Sequence, residues 1–196
     1  MIDHARFRSA IDSIDATNRQ DPNLDPTPDG AVPKEWLYSQ RMSQRLDLFA
    51  PQSSEALQLA ARSQHIQRWL SPRSNYPMGR EGYNHWRKDL NQFHADTTAV
   101  LLLQVGYEQE LIDRVKTLLM KKGLKRDAEV QTLEDVVCMV FLEHYLTPFA
   151  AKHSDEKLIS IIQKTWRKMS ESGHDAALNL PLNPDLVPLI KTALKG

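Results

Sequence analysis

Polar residues that can bind a metal or transfer a proton lie in the middle of segments that otherwise have the apolar spacing of helices. His65 and His94 are placed in this way, and the carboxylates of Glu134 and Asp135 directly precede the apolar stretch 136–142. Burying such a group costs several kcal/mol unless it is paired or ligated, so these positions need partners. Imidazole nitrogens and carboxylate oxygens together suit a divalent transition metal or manganese, which converts a bound water into a nucleophile near neutral pH.

Each of these residues also has a structural interpretation. A single histidine on an apolar face is more often a hydrogen-bonded core residue than a ligand. The sequence after Thr132 predicts a helix with Glu134 and Asp135 in its first turn, where the helix dipole stabilises negative charge. The functional interpretation is favoured by convergence, because two histidines and an acidic pair fall on three different predicted helices.

A second candidate site is a loop rich in glycine and proline that leads into a helix at about Tyr83. Arg73 and Arg80 flank its turn, and free backbone N–H groups at the following helix N-terminus favour an anion. Arg87 lies four residues after Tyr83, on the same helix face. Guanidinium groups donate in pairs to phosphate or carboxylate, so we expect an anionic small molecule to bind these four residues. The alternative is a surface loop with solvated arginines.

The composition excludes some classes of partner. Lysine plus arginine and aspartate plus glutamate each number 25 in the 196 residues, so the formal net charge is zero. General nucleic-acid binding is not expected, since proteins of that class are usually basic. No segment approaches the roughly 18 apolar residues of a membrane span, so we expect no membrane association. One cysteine, Cys138, and an N-terminus without an apolar leader favour a cytoplasmic protein.

The apolar spacing predicts an all-α protein, a single-domain bundle of seven to eight helices over residues 1–196. We expect helices at about 4–17, 33–49, 55–70, 83–105, 108–122, 133–151 and 155–172, and a short last helix from Pro184. Residues 18–32 predict a loop, because they are rich in aspartate, asparagine, proline and glycine. No segment has the strong alternating pattern of a strand.

Several segments resemble an uncharacterised family filed as domain of unknown function 4202. These segments cover most of the chain and lie at residues 37–42, 64–69, 76–83, 86–87, 133–135 and 164–170. Because the family is uncharacterised, this resemblance implies no activity.

The chain is also similar, more loosely, to the HD superfamily of helical metal-dependent phosphohydrolases. Those enzymes hold metal with a histidine, a His-Asp pair and a distant aspartate. His65 or His94 matches the histidine of the pair, but isoleucine or alanine follows where the aspartate should stand. In either register the resemblance implies that His65, His94 and Asp135 hold a divalent metal (Mn, Fe, Ni or Zn). It also implies an HD-like core over about 34–150, with the helices of 154–195 packed on it.

Two functional hypotheses follow. The first is an HD-like, metal-assisted hydrolase of a small phosphorylated or nucleotide-like substrate, with Glu134 and Arg68 as catalytic residues. Four arginines would neutralise the phosphate charge, namely Arg68, Arg73, Arg80 and Arg87. The second hypothesis is a non-catalytic HD-like module that binds an anionic small molecule through the same arginines. The missing aspartate favours this second hypothesis.

Overall fold

A computed structural model of the chain describes residues 3–195. Ten α-helices, three short 3₁₀ helices, one π-helical turn and one two-stranded antiparallel sheet make up the regular structure of those residues, which confirms the predicted all-α class. In chain order the α-helices and strands are α1 (His4–Asn18), β1 (Leu24–Thr27), β2 (Gly30–Pro33), α2 (Lys34–Phe49), α3 (Glu55–Ser63), α4 (Gly79–Gln104), α5 (Gln109–Leu119), α6 (Ala128–Val140), α7 (Leu146–Ala150), α8 (Asp155–Trp166), α9 (Glu171–Leu178) and α10 (Val187–Leu194). The chain forms two compact units, divided between Gly123 and Leu124.

The first unit contains α1 to α5 and the small sheet. Two of its helices begin at side-chain caps: Asp3 accepts hydrogen bonds from the backbone N–H groups of α1, and Ser54 accepts one from Leu57 in α3. Such caps satisfy donors that have no partner within the helix. The core consists of fully buried apolar side chains, among them Ile14, Met42, Leu46, Leu59, Ile66, Leu90, Leu102 and Leu118. The apolar stripes read from the sequence therefore face the inside of this unit.

The segment predicted as a loop before α2 contains the β-hairpin of β1 and β2. Thr27 pairs with Gly30 at the turn and Leu24 with Pro33 at the open end. Each strand has only four residues, with a proline inside β1 and a glycine and a proline at the ends of β2, so no alternating pattern could indicate them. Asp21 ties the hairpin to the next helix, because its carboxylate accepts a hydrogen bond from the backbone N–H of Glu35.

The first helix of the second unit begins earlier than predicted. Asp127, and not Thr132, is its N-cap, because the Asp127 carboxylate accepts hydrogen bonds from the backbone N–H groups of Glu129 and Val130. The expected position of Glu134 and Asp135 in a first helical turn is therefore wrong. Both lie inside α6, and both are buried. A π-helical turn over Phe141–Tyr145 continues α6 toward α7, which divides the helix predicted at 133–151.

The helix predicted at 155–172 is likewise two helices. The Ser170 hydroxyl accepts a hydrogen bond from the backbone N–H of Gly173 and so caps α9, four residues after α8 ends at Trp166. Ten helices therefore replace the seven or eight expected, since a serine cap and a π-turn leave no glycine or proline signal in the sequence. Across residues 3–195, no helix is long and apolar enough to cross a membrane.

Replacing Gly173 with alanine should destabilise the second unit. A Cβ atom at this position would lie 2.7 Å from Cγ of Asp135, a buried side chain held in place by hydrogen bonds. Overpacking of this kind typically costs about 1–3 kcal/mol. Urea denaturation of Gly173→Ala measures the loss. Asp175→Ala, at an exposed position of the same helix, is the control and should stay close to the native stability. Equal stability of the two variants would contradict the packing argument.

Candidate functional site

In the first unit, four polar side chains meet around the imidazole ring of His65. Glu35 and Tyr38 come from one face of α2, His65 and Arg68 from the turn after α3, and His94 from the middle of α4. Nδ1 of His65 lies 3.2 Å from Oε2 of Glu35, and the His65 ring stacks on the Tyr38 ring with centroids 3.9 Å apart. The rings of His65 and His94 are 5.9 Å apart. We call these five residues the His65 cluster.

The chain presents His65 and Arg68 because α3 ends at Ser63, seven residues before the predicted end of the helix. Gln67 has a φ of 50°, in the left-handed region that residues other than glycine seldom adopt. Its backbone N–H donates to the side-chain oxygen of Asn18, at the end of α1, over 3.3 Å. A tertiary hydrogen bond thus supports the turn. This explains why the turn forms without a glycine or proline in its sequence.

Arg68 occupies a half-buried position between aromatic rings. One terminal nitrogen of its guanidinium group lies 2.8 Å from Nε2 of His65, to which it donates. The guanidinium carbon lies 5.3 Å from the ring centroid of Trp86. Burial lowers the pKa of Arg68 from its ordinary value, and the nearby Glu35 carboxylate opposes this shift. Within the described residues no carboxylate forms an ion pair with Arg68.

His94 has one ring nitrogen in use and one without a partner. Nδ1 donates to the backbone carbonyl of Ile66 over 2.8 Å, so Nε2 carries the lone pair. That atom is buried and finds no hydrogen-bond donor in the part of the chain that the structure describes. Burial, together with nearby positive charge, lowers the pKa of both His65 and His94 well below the ordinary value. Both rings are therefore neutral at neutral pH.

Glu35 is the acidic member of the cluster. Burial raises its pKa to about 7, although the positive charges of Arg68 and Lys34 act in the opposite direction. The carboxyl group is therefore divided between its neutral and charged forms near neutral pH. It compensates only part of the positive charge around it.

Arg87 and Tyr83 on α4 adjoin the cluster. The charge of Arg87, which is half-buried, lowers the pKa of His65 and of Arg68. Tyr83 lies close enough to Arg68 to raise its pKa, and the ring of Tyr83 is 5.8 Å from that of Trp86. The structure thus gathers five of the predicted site residues in one neighbourhood of the first unit: His65, Arg68, Tyr83, Arg87 and His94.

The two predicted loop arginines have different positions. The guanidinium group of Arg73 donates to the backbone carbonyls of Tyr76 and Pro77, at 2.9 and 2.7 Å. Its N–H groups therefore stabilise the loop in which it lies and are not free to bind a ligand. Arg80 is exposed in the first turn of α4. Neither belongs to the His65 cluster as defined above.

The two predicted carboxylates of α6 belong to the second unit. One oxygen of Asp135 accepts hydrogen bonds from the Ser170 backbone N–H at 2.8 Å and from the Gln131 amide at 3.0 Å. The other accepts from the Ser170 hydroxyl at 2.6 Å. Oε1 of Glu134 lies 3.4 Å from the Lys168 ammonium group. These contacts anchor α6 to the segment that caps α9.

A divalent metal needs ligand atoms that are free of other partners. A metal on Nε2 of His65 would have to displace the positive guanidinium group of Arg68, and both oxygens of Asp135 already accept hydrogen bonds. Within residues 3–195, no group of three or more His, Cys, Asp or Glu side chains could hold a metal ion. As arranged, these side chains do not fit a divalent cation. The metal remains a prediction that rests on the HD resemblance.

Glu35 and Tyr38 are site residues that the sequence interpretation missed. A signal for them exists, because Glu35, Tyr38, Met42 and Leu46 follow one another at helical spacing and are all buried. A carboxylate at the end of an apolar stripe is the same kind of anomaly that pointed to Asp135. Trp36 and Leu37, the first apolar residues of this helix, are only half-buried.

Fold and site together define a predominantly helical protein with a buried histidine–arginine–glutamate cluster. Its family is shown by similarity over nearly the whole chain: the protein belongs to the family described as domain of unknown function (DUF4202), whose model matches residues 8–190. No curated protein and no solved structure is significantly similar to it. The first of the two resemblances is thereby confirmed, and the HD resemblance stays a prediction.

The raised pKa of Glu35 makes stability depend on pH. Because the folded state holds the proton more tightly, with a pKa of about 7 against the ordinary 4.5, the favourable contribution of neutral Glu35 is complete below pH 4.5. It is lost as the pH rises to about 7. Glu35→Gln cannot ionise, so its stability should match that of the native protein at pH 4.5 and exceed it by about 3 kcal/mol at pH 8.

Urea denaturation at both pH values measures this difference. The exposed Glu110→Gln substitution removes the same charge from α5 and should follow the native protein at each pH. A stability difference for Glu35→Gln that does not change between pH 4.5 and pH 8 would show that Glu35 is not buried as an acid.

Proposed function

We propose that the first unit binds a small anionic molecule, with Arg68 and Arg87 as the groups that receive its charge. One observation carries the proposal. Both arginines are half-buried around a neutral histidine ring, and no carboxylate within residues 3–195 forms an ion pair with either of them. A charge removed from water without a counter-charge is unfavourable, and a bound anion would supply that counter-charge.

Phosphate is the anion that best matches this arrangement. A guanidinium group presents its N–H donors in a planar fork that fits two oxygens of one phosphate. Two arginines correspond to the charge of a phosphate dianion better than to that of a carboxylate. Glu35 is near enough to influence Arg68, yet its raised pKa leaves part of the positive charge uncompensated at neutral pH.

Neutral histidines add hydrogen bonds without adding charge. His65 accepts from Arg68 through Nε2, which holds the guanidinium group in one orientation. The stacked Tyr38 ring restricts His65 in turn. Groups held in this way lose little conformational freedom on binding, which favours a specific site over loose attraction to the surface.

Arg68→Ala should weaken phosphate binding by at least tenfold, because a hydrogen bond to a charged group contributes about 1.5–3 kcal/mol. Isothermal titration of inorganic phosphate against the native protein and the variant measures this. Arg68→Lys keeps the charge but not the fork and should recover only part of the affinity.

Arg8→Ala is the matched control, because Arg8 is an exposed arginine of α1 in the same unit. It should bind phosphate as the native protein does. Equal losses in Arg8→Ala and Arg68→Ala would indicate unspecific attraction. Absence of phosphate binding to the native protein would refute the proposed site.

A second candidate function is hydrolysis of a phosphate ester at this site. The specific observation in its favour is the buried contact of the Glu35 carboxyl group with His65, which adjoins Arg68. Such a carboxylate can take the proton of an attacking water while the arginines stabilise the charge that develops on phosphate. The water oxygen forms a bond to phosphorus, the ester P–O bond breaks, and the alcohol leaves with a proton.

The HD resemblance adds metal-assisted hydrolysis as an expectation from the sequence, although the side chains as arranged do not fit a divalent cation. The hydrolase hypothesis therefore predicts turnover of p-nitrophenyl phosphate, measured without added metal and with Mn²⁺, Ni²⁺ or Zn²⁺. Glu35→Gln should lower kcat at least a hundredfold with little change in KM, since general-base catalysis typically contributes about 10²–10⁴. No turnover under any of these conditions would leave the anion-binding module as the function.

A further inference from the structure

Three exposed apolar side chains, here called the apolar rim, lie on the segment 70–83 that follows Arg68, and one of them, Tyr83, is close enough to Arg68 to influence its pKa. Leu70, Met78 and Tyr83 are 58%, 91% and 49% exposed. Single exposed apolar residues are ordinary on protein surfaces, and three of them between Leu70 and Tyr83, one of which adjoins a half-buried arginine, are less so. The rim offers a surface for an apolar part of a ligand.

Internal hydrogen bonds hold this segment in one conformation. The indole N–H of Trp86 donates to the backbone carbonyl of Ser71 at 2.9 Å. On the other side of the rim, Arg73 donates to the carbonyls of Pro77 and Gly79. A loop that is held at both ends keeps its side chains in fixed positions. A ligand that contacts them therefore causes little further loss of conformational entropy.

Trp86 is a common support for the arginine and the tyrosine. The centroid of its buried ring lies 5.3 Å from the guanidinium carbon of Arg68. The ring centroids of Trp86 and Tyr83 are 5.8 Å apart. The guanidinium group and the phenol ring therefore lie no farther apart than the sum of these two distances. A phosphate on Arg68 and an aromatic group against Tyr83 can therefore belong to one small ligand.

We propose that the ligand of this site is a phosphate monoester of a planar aromatic group, with the phosphate on Arg68 and the aromatic ring against Tyr83. The inference rests on the proposed anion site and specifies its substrate class. Half of the Tyr83 side chain is exposed to solvent, and aromatic stacking on a fixed ring adds affinity without any hydrogen-bond requirement. Tyr83 is then a specificity-determining residue, and Arg68 provides the charge recognition.

The test compares three probes by isothermal titration: phenyl phosphate, glycerol phosphate and inorganic phosphate. The native protein should bind phenyl phosphate roughly tenfold more tightly than the other two, as expected for one stacked ring. Tyr83→Ala should reduce phenyl phosphate to the affinity of glycerol phosphate and leave inorganic phosphate unchanged. Tyr83→Phe keeps the ring and should retain the preference.

Leu103→Ala is the matched control, because Leu103 is an exposed apolar residue of α4, 64% exposed, outside the rim. It should behave as the native protein with all three probes. Binding of all three probes with equal affinity, or a phenyl phosphate preference that survives in Tyr83→Ala, would overturn the aromatic subsite and leave the anion site standing. Failure of every probe to bind the native protein would overturn both.

Discussion

The first unit is organised around an arginine that is partly removed from water without a carboxylate on its guanidinium group. Arg68 donates to a neutral histidine and lies over Trp86, and these contacts orient the group but do not cancel its charge. The raised pKa of Glu35 has its cause in the same burial. The tautomer of His65 follows from the donor on its Nε2, and the proposal of an anionic ligand rests on the positive charge that this arrangement leaves uncompensated.

In the second unit, a buried carboxylate has a structural role. Asp135 accepts three hydrogen bonds from Gln131 and Ser170, and Gly173 leaves room for its carboxylate. These contacts position the cap of α9. In contrast to His94, whose Nε2 lacks a donor among the described residues, Asp135 has no oxygen without a partner. Asp135 and His94 thus differ in whether their polar atoms have hydrogen-bond partners. Residue type and spacing along the chain do not reveal this difference.

Each bend that creates the candidate site depends on a contact between distant parts of the chain. The turn at Gln67 is supported by Asn18, and the start of α2, which carries Glu35, is held by Asp21. A change at the end of α1 would therefore move the site residues without touching them. In the loop before α4, Trp86 binds the Ser71 carbonyl 15 residues earlier, whereas Arg73 binds carbonyls within its own loop.

The sequence by itself determined the all-α class, most helix positions and the family, because apolar spacing and similarity over residues 8–190 are properties of the chain read in order. It also singled out His65, Arg68, Tyr83, Arg87 and His94. Only the tertiary structure decided which carboxylate accompanies them. Glu35 joins His65 because the turn after α3 faces α2, while Asp135 is taken up by Ser170. Burial and hydrogen-bond partners are set by packing between distant segments. They cannot be predicted from the spacing of residues along the chain.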